Sequence, residues 1–145
     1  QVPVCLMHMQ GQPRTMQQDP VYEDVAAEVA AFLEKRMAAC VEAGLSEDLL
    51  IVDPGFGFGK THEHNVELLA NLRQLRVRNR PMLVGVSRKS TLGALTQRQV
   101  HERLPASVAA AVIAVMNGAD IVRAHDVQAT VDALKVTRAV MEAGA

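Results

Sequence analysis

Hydrophobic and polar positions alternate along the chain between two kinds of segment. Four short, mostly apolar runs have the composition of buried strands, at positions 2–9, 49–53, 81–87 and 120–125. Each run is followed by a longer segment in which apolar residues recur every three or four positions, as on one face of a helix. Strands that alternate with helices predict an α/β fold with a parallel sheet covered by helices.

Capping residues place the ends of the first two predicted helices. Asp19 is the N-cap of the first helix, Pro20 takes its first helical position and Gly44 marks its end. Thr61 caps the second helix. The apolar positions expected to face the core are Val25, Val29, Phe32, Met37 and Cys40 in the first helix, and Val66, Leu69, Leu72 and Leu75 in the second.

Similar signals define the later helices. The third begins at 102 or 105 and ends at 117, after a short helical piece over 90–95, and Asp126 caps the last helix. The stretch 106–116 is apolar nearly all round, so it needs cover on both sides. We expect the sheet to cover one side and a partner subunit the other. Tight packing of the small residues in this stretch is the alternative.

Two architectures are compatible with four strand–helix units. A flavodoxin-like open sheet needs only about this length, whereas a complete (β/α)8 barrel takes about 250 residues. The chain has 145 residues and begins at Gln1 inside a predicted strand, where a domain is not expected to start. This start favours a fragment of the barrel, while composition alone does not distinguish the two.

Polar side chains gather at the carboxyl ends of the predicted strands, where α/β proteins place their functional residues. Because side chains alternate along a strand, Asp53, Arg123 and His125 share one face with the apolar residues that precede them. Gly85 and Ser87 take the matching positions on the third strand. Interior charges are costly unless they pair or meet a ligand, which predicts a binding site. An internal Asp53–Arg123 ion pair is the purely structural alternative.

A glycine-rich loop, 53–61, follows the second strand. It ends in Gly-Lys-Thr, but Pro54 stands where a phosphate-binding P-loop needs its first glycine. The spacing GxGxG also departs from the dinucleotide pattern GxGxxG. The loop holds Phe56 and Phe58, two of the four aromatic side chains in the protein, and we predict that they cover a flat ligand. Packing of both rings onto the core is the alternative.

The segment Ser87-Arg88-Lys89-Ser90 joins the third strand to the short helix. Two cations, two hydroxyls and a helix N-terminus suit an anionic ligand, with solvated charge as the alternative. A second anion site is predicted where His125-Asp126 enters the last helix. His62 and His64 diverge at a helix start, so they are interpreted as surface residues and not as metal ligands. Cys5 lacks a neighbouring base and is not expected to be a nucleophile.

Composition narrows the class of protein. The formal net charge of −1, from 15 basic and 16 acidic residues, argues against a general nucleic-acid binder. Two cysteines are too few for a disulfide framework, so a cytoplasmic location is expected. No segment approaches the roughly 20 apolar residues of a membrane span, so no membrane partner is expected.

Four segments together closely resemble bacterial dihydropteroate synthases. They read LMHMQG at 6–11, DPGFGFGK at 53–60, VGVSRKS at 84–90 and IVRAHD at 121–126, in the order and at the spacings of that family. The resemblance covers the whole chain. It implies an α/β fold of the (β/α)8 TIM-barrel type, in which residues 1–145 form the second half, from the fifth strand to the eighth helix.

The resemblance also implies an activity. The family condenses 6-hydroxymethyl-7,8-dihydropterin diphosphate with p-aminobenzoate, and it releases pyrophosphate and 7,8-dihydropteroate for folate synthesis. It uses Mg²⁺, is the target of sulfonamides and forms homodimers through its last three helices. The Mg²⁺ ligands and two substrate-covering loops are expected in the first half of the barrel. We therefore expect the 145-residue chain by itself to have negligible turnover.

Residue roles follow from the resemblance, position by position. The residues implied to bind the pterin are Met7, Asp53, Gly85, Lys89 and Arg123. Those implied to contact p-aminobenzoate are Phe58, Lys89 and Ser90, and those implied to bind the diphosphate are Arg123 and His125. Lys89, Arg123 and His125 are the catalytic candidates, because cationic groups and hydrogen-bond donors stabilise charge on a leaving group.

The sequence is compatible with two alternative functions. A methyltetrahydrofolate–corrinoid methyltransferase domain shares the barrel and the pterin chemistry, but it has no need of a cation cluster for a diphosphate leaving group. A half-barrel without catalytic activity would self-associate through its open sheet edges.

Overall fold

Strands and helices alternate along the chain in the computed structural model, which describes residues 2–144. Gln1, where the sequence predicts a strand interrupted by the start of the chain, lies outside the described residues, as does Ala145. Within 2–144 the α-helices and strands are β1 (Val4–Met7), α1 (Val25–Glu42), β2 (Leu50–Asp53), α2 (His62–Ala70), β3 (Leu83–Val84), α3 (Ser90–Thr96), α4 (Leu104–Met116), β4 (Ile121–Val122) and α5 (Val127–Ala143). The expected α/β alternation is confirmed.

The strands are parallel and lie side by side in the order in which they occur in the sequence. β1 pairs with β2, with Met7 opposite Asp53, and β3 pairs with β4. A parallel bridge between Val52 and Met82 joins the two pairs. A flavodoxin-like sheet has the order 2-1-3-4-5. The sequential order is that of neighbouring strands in a (β/α)8 barrel.

The hydrophobic core lies on one face of this sheet. The side chains of Leu50, Val52 and Val84 are buried among residues of α1 and α2. On the opposite face Cys5 is exposed, and so is Met7 at 36%. Helices on a single face distinguish an arc of a barrel from a doubly wound sheet, which has helices on both faces. The predicted fold class, part of a (β/α)8 barrel, is confirmed.

The first helix begins five residues later than predicted, since Asp24 and not Asp19 is its N-cap. The Asp24 carboxylate accepts a hydrogen bond from Ala27 N–H at 2.9 Å. Pro20 lies outside the helix, because the side chain of Gln10 holds the backbone of Val21 through two hydrogen bonds of 2.9 and 3.2 Å. A tertiary contact therefore holds this segment outside the helix, against its local helix-start signal.

Other element ends are corrected or confirmed. Gly44, with φ of 91°, ends α1 as predicted, and Thr61 caps α2 by accepting from His64 N–H. α2 ends at Ala70, so the predicted second helix stops early, and Leu72–Leu75 form a 3₁₀ turn in which both leucines are buried. The third and fourth strands are shorter than predicted, with two residues each. Two positions predicted to be in the core are exposed: Phe32 at 36% and Val66 at 44%.

The apolar helix is α4. Its small residues Ala110, Ala111 and Ala114 are buried against the rest of the chain. On its other side Ile113 is 45% exposed and Met116 is 50% exposed, so the outer face of α4 presents apolar surface. In the part of the chain that the structure describes, no helix is both long enough and apolar enough to cross a membrane.

Candidate functional site

A cavity of about 390 Å³ opens at the carboxyl ends of β3 and β4. It is lined by Gly85, Ser87, Lys89, Arg123, Ala124 and His125. Four of the site residues predicted from the sequence, Gly85, Lys89, Arg123 and His125, therefore meet in one place. Parallel pairing explains this, because β3 and β4 end at the same edge of the sheet.

The guanidinium of Arg123 lies against the backbone of Gly85. A methyl group added to Gly85 would approach Arg123 Nη2 to 2.9 Å and Nε to 3.1 Å. The absence of a side chain at position 85 is therefore what lets the planar guanidinium lie over the strand. The backbone N–H of Arg123 donates to Val84 C=O at 3.0 Å and extends the β3–β4 pairing, which fixes the position of the Arg123 backbone.

The buried hydroxyl of Ser87 orients His125. Ser87 Oγ accepts from His125 N–H at 3.2 Å and lies 3.0 Å from His125 Nδ1. With its own proton the hydroxyl can donate to Nδ1, which leaves Nε2–H to donate to an anion in the cavity. Sequence reasoning placed Ser87 on the correct face but assigned it no partner.

Lys89 lies between the cavity and the glycine-rich loop. Its Nζ is 4.2 Å from the centre of the Phe58 ring, a cation–π contact. Burial and the charge of Arg123 lower the pKa of Lys89, while Asp53 opposes the shift. The two phenylalanines of the loop have different environments. Phe58 is half-buried beside Lys89, whereas Phe56 is 5% exposed and belongs to the core. The prediction that Phe56 covers a ligand is therefore wrong.

Asp53 is buried at the end of β2, opposite Met7 in the register of the sheet. Its Oδ1 accepts from Gly55 N–H at 2.8 Å. Burial raises the pKa of Asp53, against the opposing effects of that hydrogen bond and of the charges on Arg123, Lys89 and Lys60. Among residues 2–144 no salt bridge joins Asp53 to Arg123, so the structural alternative of a closing ion pair does not hold.

The pairing of Lys60 with His8 was not predicted. Lys60 is 2% exposed, and its Nζ lies 2.9 Å from His8 Nδ1 and donates to Gly55 C=O and Phe58 C=O at 3.0 and 3.1 Å. The two carbonyls and the His8 ring nitrogen provide polar partners for Nζ, whereas burial opposes the charge of the ammonium and lowers the pKa of Lys60 to about 7. The burial of His8 likewise lowers its pKa to about 4.

Arg88 does not face the cavity, which corrects its assignment to an anion site. Its guanidinium donates to both carboxylate oxygens of Asp126, at 2.7 and 3.1 Å. Asp126 is the N-cap residue of α5, as predicted, but its carboxylate pairs with Arg88 and makes no side-chain capping hydrogen bond. Arg88 and Asp126, which are sequence neighbours of cavity-lining residues, therefore pair with each other and not with a ligand.

The remaining candidates have separate environments. Ser90 lines a different cavity, which it shares with Gly57 and Lys60. His62 Nδ1 lies 3.2 Å from Thr91 Oγ1, and His64 takes part in the capping of α2. Among residues 2–144 no three His, Cys, Asp or Glu side chains are grouped to hold a metal ion. The cationic groups of the cavity are the opposite of the carboxylate donors that Mg²⁺ prefers, so these residues do not fit a Mg²⁺ site.

This combination defines the class of protein. A barrel arc presents a flat guanidinium, a lysine over an aromatic ring and an oriented imidazole at its strand ends, and a buried carboxylate lies close by. Such a site suits a planar, hydrogen-bonding ligand that carries an anionic group.

Comparison with known proteins agrees with this class. A model of the pterin binding enzyme family matches residues 1–125. The dihydropteroate synthase of Escherichia coli (strain K12) is 51% identical over 142 residues, which are 98% of this chain and 50% of that protein. The chain spans about half the length of the curated relatives it matches. It belongs to the pterin binding enzyme family.

Solved structures extend the similarity to three dimensions. A complex of Yersinia pestis dihydropteroate synthase with a sulfonamide drug superposes with a TM-score of 0.95 and 48% identity, over 97% of this chain and 52% of that one. The Xanthomonas albilineans dihydropteroate synthase in complex with 7,8-dihydropteroate gives a TM-score of 0.89 and 48% identity, over 97% and 51%. The same Xanthomonas enzyme is also known with 4-aminobenzoic acid. The resemblance to bacterial dihydropteroate synthases is confirmed.

Gly85→Ala tests the contact between Arg123 and the strand. The added methyl group would collide with the guanidinium, so we expect Arg123 to leave the strand and the affinity for inorganic phosphate to fall about tenfold, measured by titration calorimetry. Gly144→Ala is the matched control, because the nearest atom to its added methyl group is at 3.7 Å. Equal affinities of the Gly85→Ala variant and the original protein would contradict the role given to Gly85.

Proposed function

We propose that the chain forms the second half of the barrel of a dihydropteroate synthase, with residues 1–145 supplying four of its eight strand–helix units. The reaction would join 6-hydroxymethyl-7,8-dihydropterin diphosphate to p-aminobenzoate. The single observation that carries this proposal is the cavity in which Lys89, Arg123 and His125 converge beside Gly85. It is supported by the names of relatives about 50% identical to the chain.

The pterin would bind between the buried carboxylate and the flat guanidinium. A carboxylate accepts hydrogen bonds from ring N–H and amino groups, which suits Asp53, and a guanidinium stacks on a planar ring, which suits Arg123. Met7 lies opposite Asp53 on the neighbouring strand and would line the same slot. Gly85 gives the space that the guanidinium needs, and it would let the flat pterin approach the strand.

The p-aminobenzoate would lie on the Phe58 side of Lys89. The 4.2 Å contact between Lys89 Nζ and the Phe58 ring places a cation and an aromatic surface next to each other. Ser90 follows Lys89 directly and begins α3, where its hydroxyl and free backbone N–H groups suit a carboxylate.

The chemistry would be loss of pyrophosphate followed by attack of the amine. The C–O bond to the diphosphate breaks, and both electrons leave with pyrophosphate. The amine nitrogen then forms the new C–N bond and releases a proton. Arg123 and His125 Nε2–H would hold the charge that develops on the leaving group, and preorganised donors of this kind lower the barrier without rearranging.

Mg²⁺ belongs to the proposal only through residues beyond this chain. Bound to the diphosphate, it would neutralise charge on the leaving group. The residues that line the cavity supply no carboxylate cage for it.

A homodimer and a cytoplasmic location complete the proposal. The helices of the last three strand–helix units, α2, α4 and α5, would form the interface. In its support, α5 exposes Val136 at 66% and Val140 at 67%, and α4, which packs against α5, exposes Ile113 and Met116. Both cysteines are free thiols, as a reducing compartment favours.

The proposed half-barrel predicts that the 145-residue chain forms no dihydropteroate above background from the two substrates. Co-expression with a polypeptide that supplies four more strand–helix units is expected to restore product formation, measured by release of pyrophosphate. Robust turnover by the chain alone would contradict the half-barrel proposal.

Binding experiments separate the proposed reaction from the two alternatives. We expect the chain to bind inorganic pyrophosphate and a pterin, and methyltetrahydrofolate no more tightly than the pterin. Preferential binding of methyltetrahydrofolate without pyrophosphate binding would favour the methyltransferase domain. Sedimentation at several concentrations tests self-association, which the exposed sheet face that carries Cys5 and Met7 would favour.

A further inference from the structure

The turn after β3 contains a residue in an unusual backbone conformation. Arg88 has a φ of 59°, in the left-handed region that residues with a side chain rarely adopt. Its neighbours Ser87 and Lys89 both line the cavity. The conformation of Arg88 therefore sets the direction in which the two neighbouring side chains leave the backbone.

Each polar part of Arg88 is held by another element. Its N–H donates to Ser107 Oγ in α4 at 2.9 Å, and its C=O accepts from Arg103 Nη1 at 3.0 Å. Ser107 Oγ in turn donates to Arg103 C=O at 2.7 Å. The guanidinium of Arg103 packs against Gly93 in α3, where an added methyl group would collide with it. The unusual turn is thus fixed from the helix side of the sheet.

The side chain of Arg88 connects this turn to the second wall of the cavity. Its guanidinium pairs with both oxygens of Asp126, the residue after His125. Burial is moderate, with the two side chains 39% and 24% exposed, so the pair adds little to the stability of the fold. A two-point contact between planar groups nevertheless fixes their relative position and orientation.

We propose that Arg88 and Asp126 are positioning residues, which fix the two walls of the cavity, and with them Lys89 and the anion-binding His125, without touching the ligand. The proposal rests on the proposed function in one respect, since it takes the anion to be the diphosphate part of a substrate. It adds the requirement that anion affinity depends on a pair of residues behind the cavity.

The substitution Asp126→Asn tests this dependence, because it keeps the shape of the side chain and removes its charge. Asp120→Asn is the control: Asp120 pairs with Arg76 at 3.0 Å, with side chains 38% and 39% exposed, and also accepts from Met82 N–H at 2.8 Å, but it precedes β4 at the opposite end of the sheet. We expect the dissociation constant for inorganic pyrophosphate to rise about tenfold in Asp126→Asn and to change less than about twofold in Asp120→Asn.

Arg88→Gly separates pairing from backbone strain, because glycine adopts a positive φ without cost. We expect Arg88→Gly to weaken pyrophosphate binding as much as Asp126→Asn does, and the double variant to be no weaker than either single variant. Additive losses in this double-mutant cycle would overturn the claim that the two residues act as one unit.

Hydrogen exchange of the His125 amide supplies a readout that needs no ligand. This amide donates to Ser87 Oγ, so loosening the cavity walls should speed its exchange in Asp126→Asn relative to amides of α1, and not in Asp120→Asn. Unchanged His125 exchange in Asp126→Asn would overturn the positioning role. A failure of the original protein to bind pyrophosphate, with faster His125 exchange in Asp126→Asn, would count against the proposed function alone.

Discussion

Asp53→Asn is expected to weaken pterin binding about a hundredfold, because two hydrogen bonds to a carboxylate are each worth roughly 1.5 kcal/mol or more. The amide offers an N–H₂ group where the ligand also presents donors. Titration of a pterin against the variant measures the loss.

The Asp53 carboxylate also makes pterin binding depend on pH. Burial raises the pKa of Asp53, so the carboxylate takes up its proton at a higher pH than an ordinary aspartate does. As the pH is lowered, pterin binding should therefore weaken at that higher pH.

The substitution is matched to the local structure. An asparagine Oδ1 can still accept from Gly55 N–H, the one hydrogen bond that Oδ1 of Asp53 makes with the backbone of its own loop. Loop stability should therefore survive in the variant, and its pyrophosphate affinity should stay within about threefold. Pterin affinity equal to that of the original protein would exclude Asp53 from the binding site.

Lys60→Met is expected to lower the free energy of unfolding by about 3 kcal/mol at pH 8, since it leaves two backbone carbonyls without their donor and a buried His8 nitrogen without its partner. The carbonyls are those of Gly55 and Phe58, and His8 Nδ1 lies 2.9 Å from Lys60 Nζ. Urea unfolding measures the change. The Phe58 carbonyl belongs to the loop beside Lys89, so the variant should also weaken the cation–π contact there.

The effect of Lys60 on stability has a defined pH dependence. Burial lowers the folded-state pKa of Lys60 to about 7, from 10.5 as its ordinary value. Between these limits the unfolded chain binds the proton and the folded chain does not, so the stability of the original protein rises with pH. Relative to Lys60→Met, which cannot titrate, this rise is at most about 1.4 kcal/mol per pH unit.

A control substitution checks that the slope belongs to the buried amine. Lys35 is exposed on α1, and Lys35→Met is expected to change the free energy of unfolding by less than about 0.5 kcal/mol across the same pH range. A stability difference between the original protein and Lys60→Met that stays constant from pH 7 to pH 9 would disprove the titration assigned to Lys60.

Local sequence determined much of the architecture. The alternation of apolar runs and helical periodicity predicted a parallel α/β fold, and short-range signals placed the caps at Gly44 and Thr61. The ends of parallel strands meet at one edge, so the sequence also predicted that Gly85, Arg123 and His125 come together. These features depend on neighbours along the chain or on strand direction, which a sequence displays directly.

Tertiary structure decided which polar groups face the ligand. Asp19 and Pro20 form a good local helix start, yet the side chain of Gln10 bonds to the backbone of Val21 and the helix begins only at Val25. Phe56 and Phe58 have the same local context, yet only Phe58 remains beside Lys89. In each case contacts between segments distant in the sequence outweigh the local preference.

The same reason explains the two pairs that sequence reasoning missed. Lys60 contacts His8, 52 residues away in the sequence, and Arg88 pairs with Asp126, 38 residues away. Which groups pair depends on their distance in space and on how far the fold excludes water from them. Both the distance and the exclusion of water depend on all of the packed elements together. The sequence by itself determined where the site lies, and the packing of the fold determined which side chains reach it and which hold them in place.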